Sequence, residues 1–253
     1  MQSSLSLVVF DLAGTTIEDH DVVGRALVDA VSAVGGAIGV RDANAVMGLP
    51  KPVALARLLA RSDRRKAEWI DSERVARATA HFEQAIARHY SSPGGVVPVE
   101  GVEDTFEIIR RNGAKVVIDS GFSSAIVDTI LARLRWVERR LVHARVGSDE
   151  VYRGRPAPDL VYEAMRRTNV SDPKTVAKVG DTPADLGEGD SAGCGWNVGV
   201  TYGTHVWAEL VKHPHTALIE HLRDLPAVLG LVDNVRAPTR PDRPALRAGR
   251  VAE

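Results

Sequence analysis

Short apolar runs rich in β-branched residues alternate along this chain with segments of helical spacing, and this alternation restricts the fold more than any other feature. LSLVVF (5–10), AKVVID (114–119), TVAKVG (175–180) and WNVGVTYG (196–203) read as strands, the first of them buried on both faces, with RLVHARV (140–146) a further candidate. Between them, VEDTFEIIRRNG (102–113), SSAIVDTILARL (123–134) and PDLVYEAMRRTNV (158–170) have helical spacing, and DLGEGDSAG (185–193) reads as a turn and short helix. Strands that alternate with helices form a parallel sheet covered on both faces. One block interrupts the scheme. Val22, Val23, Ala26, Leu27, Ala30, Val31 and Val34 share one side of a helix; a second helix starts near Pro50; a third, amphipathic one spans 71–89. SSPGGVVPVEG (91–101) then reads as a linker. The expected architecture is α/β: a Rossmann-like parallel-sheet core domain over 1–16 and 98–235, with an inserted all-α helical cap domain over 17–97. The Pro- and Arg-rich segment 236–253 reads as a flexible tail.

The bulk properties exclude several classes. With a formal net charge of −1, the chain offers no global electrostatic case for nucleic acid or membrane partners. No run of about 18 apolar residues could cross a bilayer, and Asp11 comes too early for a secretory signal. The single cysteine, Cys194, rules out an internal disulfide, fits a reducing cytoplasm, and reads as a packed thiol within SAGCGW.

Open parallel sheets bind ligands at the carboxyl ends of their strands. Here that edge receives Asp11, then Asp119 and Ser120, then Gly180 and Asp181. Gly14, Thr15 and Thr16 follow Asp11 in a turn that can direct backbone N–H groups at an anion. An isolated Asp in such a turn more often only caps it. Asp181 and Asp185, four residues apart, add a second acidic cluster at another strand end. Carboxylates that converge with backbone carbonyls make a hard oxygen site suited to Mg²⁺. Acids in such loops also cap helices, and it is the joint placement at one edge that favours a site.

The sequence resembles the haloacid dehalogenase superfamily of phosphotransferases, with its motifs in order over nearly the whole chain. FDLAGTT matches the nucleophile loop, Ser120 in VVIDSG the second-motif hydroxyl, Arg155 in GRPAPDLV the third-motif base, and VGDTPADLGEGDSAG the acidic fourth motif. The resemblance implies that Asp11 attacks phosphorus, that Asp11, the Ala13 carbonyl, Asp181 and Asp185 hold Mg²⁺, and that Ser120 and Arg155, with the loop at Ala13, Gly14, Thr15 and Gly121, hold the transferring group. The helical insertion resembles the family's mobile cap, whose exposed face is a candidate for homodimer contact.

Ala13 stands where most phosphatases of the superfamily carry an acid that protonates a leaving alkoxide. The Asp-x-Ala-Gly-Thr-Thr loop and the Arg-Pro third motif are closer to the phosphonoacetaldehyde hydrolase, or phosphonatase, branch. There a cap lysine forms an imine with the substrate aldehyde, so that carbon leaves phosphorus as an enamine. Met47-Gly-x-x-Lys51 matches that lysine's segment, and Pro52 suits a first helical turn. A lysine at a helix N-terminus feels a positive dipole that favours its neutral, nucleophilic form. The branch places a His three residues further on, where this chain has Ala54. Three readings stand open: a Mg²⁺-dependent phosphonatase-like hydrolase; a phosphomonoester phosphatase of phosphoglycolate or sugar phosphate type, in which Lys51 only binds a negative group; and a noncatalytic binding protein on the same scaffold. The partner expected in each is a small phosphorylated or phosphonate metabolite. His20, His81 and His89 have no sequence-based place in the site, and His213 and His215 read as a surface turn.

Overall fold

The computed structural model describes residues 4–231, so the segment 236–253 lies outside the described residues. Six strands, β1 (Leu7–Phe10), β2 (Lys115–Asp119), β3 (Ala144–Val146), β4 (Val176–Gly180), β5 (Trp196–Val200) and β6 (Ala217–Ile219), form one sheet in the order β3-β2-β1-β4-β5-β6. Every pairing is parallel. The chain thus winds outward from β1 in one direction and then in the other, and the reversal lies between β1 and β4. Clefts open at such a reversal, because the connections leave in opposite directions.

The helices are α1 (Val22–Ala33), α2 (Val40–Asn44), α3 (Lys51–Asp63), α4 (Ser72–Ser91), α5 (Val102–Arg111), α6 (Ser124–Leu134), α7 (Asp159–Thr168), α8 (Pro183–Ala192), α9 (Trp207–Leu210) and α10 (Leu225–Val228). Alternating side chains of β1 serve two cores, as the strand's period of two requires. Val8 and Phe10 pack with Phe106 and Ile109 of α5 and Ile130 of α6. Leu7 and Val9 face Leu160, Val161 and Ala164 of α7. Burial on both sides explains why β1 is an unbroken apolar run.

Helices α1 to α4 form the layer expected between the first and second strands, with α1 and α3 packed on α4 and α4 reaching α6. The Asp71 side chain accepts from the Glu73 amide to cap α4, and Ala78, Phe82, Ile86 and Tyr90 form its buried stripe at a spacing of four. The outgoing and returning connections run side by side: the Glu18 amide donates to the Val97 carbonyl (2.9 Å) and the Val99 amide to the Thr16 carbonyl (3.0 Å).

Three local expectations need correction. The third strand covers only Ala144–Val146, because Leu141 and Val142 are buried in the turn around Trp136, whose carbonyl accepts from both their amides. Their apolar pattern belongs to a packed loop. Strand β6 was not foreseen, being three residues long. The short helix α2, between α1 and α3, was not foreseen either.

Candidate active site

The strand register brings the site together. Phe10 pairs with Ile118 on one side and Val179 on the other, so the residues that follow, Asp11, Asp119 and Gly180, emerge at one level. Asp181 comes next, and Asp185 lies in the first turn of α8. Carboxylate oxygens of Asp11, Asp181 and Asp185 all lie within 4.8 Å of one another. Asp185 serves two roles at once. With Thr182 it forms a capping box on α8, in which the Thr182 amide donates to its Oδ2 (3.2 Å) and the Thr182 hydroxyl accepts from the Asp185 amide (3.2 Å). Its Oδ1 faces Arg155.

Gly14 shapes the loop after Asp11. It has φ +86, and a Cβ there would lie 2.5 Å from Asp181 Oδ2, so only glycine lets the two loops meet. The Thr15 hydroxyl donates to Asp181 Oδ1 (3.1 Å), and the Thr204 amide donates to its Oδ2 (2.7 Å). The Thr15 side chain is therefore turned to the second acidic cluster rather than free for an anion. The Tyr202 hydroxyl donates to the Thr15 carbonyl (2.6 Å), tying the segment after β5 to the same loop.

Arg155 is fully buried and pairs with four carboxylates, which excludes a surface ion pair. Its Nη1 lies 2.5 Å from Asp11 Oδ1 and 2.9 Å from Asp185 Oδ1, its Nε 2.9 Å from Glu188 Oε2, and its Nη2 bonds Asp119. A second buried cation, Lys178, contacts Asp119 (2.5 Å), Glu188 (3.1 Å) and Asp185 (3.2 Å). The two cations stand beneath five buried carboxylates: Asp11, Asp119, Asp181, Asp185 and Glu188.

This imbalance sets the proton affinities. Burial, against the pull of Arg155, raises Asp11 to about 6. Burial and the charges of Asp11 and Asp185 raise Asp181 to about 8. Asp119 is buried too, yet Arg155 and Lys178 hold it below the usual carboxylate range. The hydrogen-bond donors to Asp181 among the described residues, Thr15 and Thr204, are neutral. A buried carboxylate set with too little positive charge is one that a divalent cation completes.

Lys51 opens α3 directly after Pro50 and is 5 % exposed. Its Nζ sits over the rings of Phe122 (5.0 Å) and Phe82 (5.6 Å). Burial lowers its pKa to about 8, against the opposing charge of Asp11. Lys51 and Asp11 line one narrow cleft of about 20 Å³ with Ala13, Met47, Ser120, Gly121 and Phe122. The helical layer and the sheet edge come close together here. A Cβ on Gly121 would lie 2.8 Å from the Gly48 carbonyl oxygen and 2.7 Å from that of Leu49, and one on Gly48 would lie 2.4 Å from Thr182 Oγ1. The Ser120 hydroxyl accepts from the Phe122 amide (3.1 Å) and shapes the turn.

All the residues singled out in sequence thus fall at or around this edge. Of the histidines, His20 is exposed, pairs with Glu18 and lines a neighbouring pocket with Gly14, Tyr202 and Thr204, while His215 bonds the His213 carbonyl in a turn. Cys194 is half-buried, with burial raising its thiol to about 12, as expected of an inert packed thiol. Lys178 and Glu188 were not anticipated. A lysine inside an otherwise apolar strand of a doubly covered sheet was the available signal, since neither face offers it water.

A family model described as a haloacid dehalogenase-like hydrolase matches residues 5–193. A phosphonoacetaldehyde hydrolase of Bacteroides fragilis is 29% identical over 223 residues, 83% of this chain and 81% of that one. One from Bacillus cytotoxicus is 30% identical over 210 residues, 79% and 77% of the two chains. A phosphonoacetaldehyde hydrolase-like protein from Oleispira antarctica superposes with a TM-score of 0.78 at 20% identity over 90% of this chain and 92% of that one, which shows the common fold. Among the described residues no helix is long and apolar enough to cross a membrane. From the sheet edge and these relatives together, the chain belongs to the haloacid dehalogenase-like hydrolases, as a phosphohydrolase of their phosphonatase-like branch.

Proposed function

We propose that this enzyme hydrolyses a small phosphonate of the phosphonoacetaldehyde type, with Asp11 as nucleophile toward phosphorus and Lys51 as imine-forming amine. The observation that carries this reading is that a buried lysine with a pKa of about 8 shares one cleft with Asp11. A neutral amine attacks aldehyde carbon, and at about 8 a useful fraction of Lys51 is neutral near physiological pH. The absence of an acid at Ala13 fits, because a leaving enamine needs no proton from that position.

The steps balance as follows. Neutral Lys51 Nζ bonds the aldehyde carbon, the oxygen takes one amine proton and one proton from solvent, and water departs, leaving a protonated imine. An Asp11 oxygen bonds phosphorus as the C–P bond breaks, and the freed electron pair moves into the imine to form an enamine. The enamine takes a proton on carbon, and water releases the aldehyde from Lys51. Water then cleaves the aspartyl-phosphate to inorganic phosphate. Asp11, Asp181, Asp185 and the Ala13 carbonyl would hold Mg²⁺, which when bound offsets the negative charge of the phosphoryl oxygens. Ser120, Arg155 and the amides after Asp11 orient the phosphoryl group.

In this reading residues 17–97 act as the cap over a core of 1–16 and 98–235, with hinges at the paired connections near Glu18 and Val97. The exposed cap face is a candidate dimer contact, and we place the enzyme in the cytoplasm, where Cys194 stays reduced.

One observation favours a second reading, a phosphomonoester phosphatase. Ala54, one turn along α3 from Lys51, is a buried methyl group that can assist no proton transfer, so Lys51 could serve only as a cation for a substrate's acidic end. A substrate panel run on wild type and Lys51→Ala with and without Mg²⁺ separates the two. The phosphonatase reading expects phosphonoacetaldehyde turnover that needs both Mg²⁺ and Lys51. Turnover of phosphoglycolate or a sugar phosphate that persists in Lys51→Ala, without phosphonate cleavage in wild type, supports the phosphatase.

A further inference from the structure

Tyr90 lies near the end of α4 and is 1 % exposed, and its hydroxyl has no hydrogen-bond partner among the described residues. Leaving such a group unpaired in a protein interior costs free energy, and a phenylalanine would fill the same space without it. Phe82, eight residues earlier on the same buried stripe, is such a residue. Another phenol near the site, the exposed Tyr202, does find a partner, the Thr15 carbonyl.

The position of Tyr90 suggests what its hydroxyl serves. Its ring packs edge-on against Phe122 at 5.9 Å, and Phe122 in turn lies 6.2 Å from Phe82. Lys51 Nζ stands over those same two phenylalanine rings. The phenol ring and the amine therefore both contact Phe122, which lines the cleft with Lys51. Next to Lys51 on α3, Ala54 offers nothing that could hydrogen-bond a substrate oxygen.

We propose that the Tyr90 hydroxyl donates a hydrogen bond to the oxygen of the substrate carbonyl that Lys51 attacks. This deepens the imine reading above and rests on it. As the Nζ–C bond forms, the carbonyl π pair moves onto oxygen, and a donor fixed at that point stabilises the developing charge. One amine proton and one proton from solvent then leave with the oxygen as water, so the imine nitrogen keeps its remaining proton, and Tyr90 keeps its own proton throughout. Burial and the charges of Asp19 and Asp11 hold the phenol proton well above its ordinary value, in keeping with a donor that never becomes a base.

Tyr90→Phe removes only the oxygen. The test uses the full chain with Mg²⁺ and phosphonoacetaldehyde, and reads the initial rate of borohydride-trapped adduct, kcat/KM, inhibition by inorganic phosphate and the melting temperature. The expected result is a fall of about 10- to 100-fold in trapping rate and kcat/KM, with phosphate inhibition unchanged and melting equal or higher. Equal trapping in the variant and wild type overturns the role of Tyr90 alone. A parallel loss of phosphate inhibition and melting temperature also overturns it, by showing a packing role. Absence of any adduct in wild type overturns the imine reading and this inference with it.

Discussion

Asp11 sits where burial and the guanidinium of Arg155 work against each other. Asp11→Asn keeps the shape and removes the nucleophile, so turnover should fall on the order of 10³-fold or more, while circular dichroism stays that of the folded chain. Residual turnover near wild type would remove Asp11 from the chemistry. Lys51 carries a prediction in pH. Burial lowers it to about 8, and only the neutral amine attacks, so the adduct-forming rate should rise with pH through about 8 and level off above it. A rate still climbing toward the ordinary lysine value would mean that the amine is solvated. Asp11, Asp181 and Lys51 were legible in sequence because each follows punctuation: a strand end, or a proline before a helix. Lys178 and Glu188 were not, since each lies inside an element and acts through long-range contacts, Lys178 with Asp119 across 59 residues and Glu188 with Arg155 across 33. Tyr90 was not legible, since it falls just past the helix expected over 71–89, and nothing in the spacing marks a hydroxyl that lacks a partner.

At the scale of elements, the helical layer meets the sheet domain through close backbone approaches as well as through the contacts of Phe82 and Tyr90 with Phe122. The Gly48 and Leu49 carbonyls press on Gly121, and Gly48 presses on Thr182. Gly121→Ala would place a methyl group 2.7 Å from the Leu49 oxygen, so the cap segment carrying Lys51 must shift. Kinetics should show kcat/KM for the phosphonate falling about 10- to 100-fold, in line with the cost of a misplacement near 1 Å, while thermal melting changes little. Full activity in that variant would mean that this approach is not the catalytic one. The alternation of strands and helices was readable because each long element has a single period. β6 was hidden by its length, and the segment around Leu141 and Val142 by burial without a ladder, where apolar pattern and strand part company.

For the whole molecule, the sheet's reversal of direction between β1 and β4 concentrates five buried carboxylates against Arg155 and Lys178 at one edge. The fold thus carries an uncompensated charge that Mg²⁺ should relieve. Saturating Mg²⁺ should raise the melting temperature, with stabilisation that grows as the logarithm of its concentration, and EDTA should abolish both the rise and the activity. Asp181→Asn should lose the Mg²⁺-dependent rise while remaining folded. The central claim is that Asp11 and Lys51 act on one substrate in one cleft. Its most direct test is to incubate the enzyme with Mg²⁺ and phosphonoacetaldehyde, reduce with borohydride, and map the modified peptide by mass spectrometry. A reduced adduct on Lys51, lost in Lys51→Ala, is the predicted result. An enzyme that releases phosphate from this substrate without any adduct on Lys51 would contradict the account.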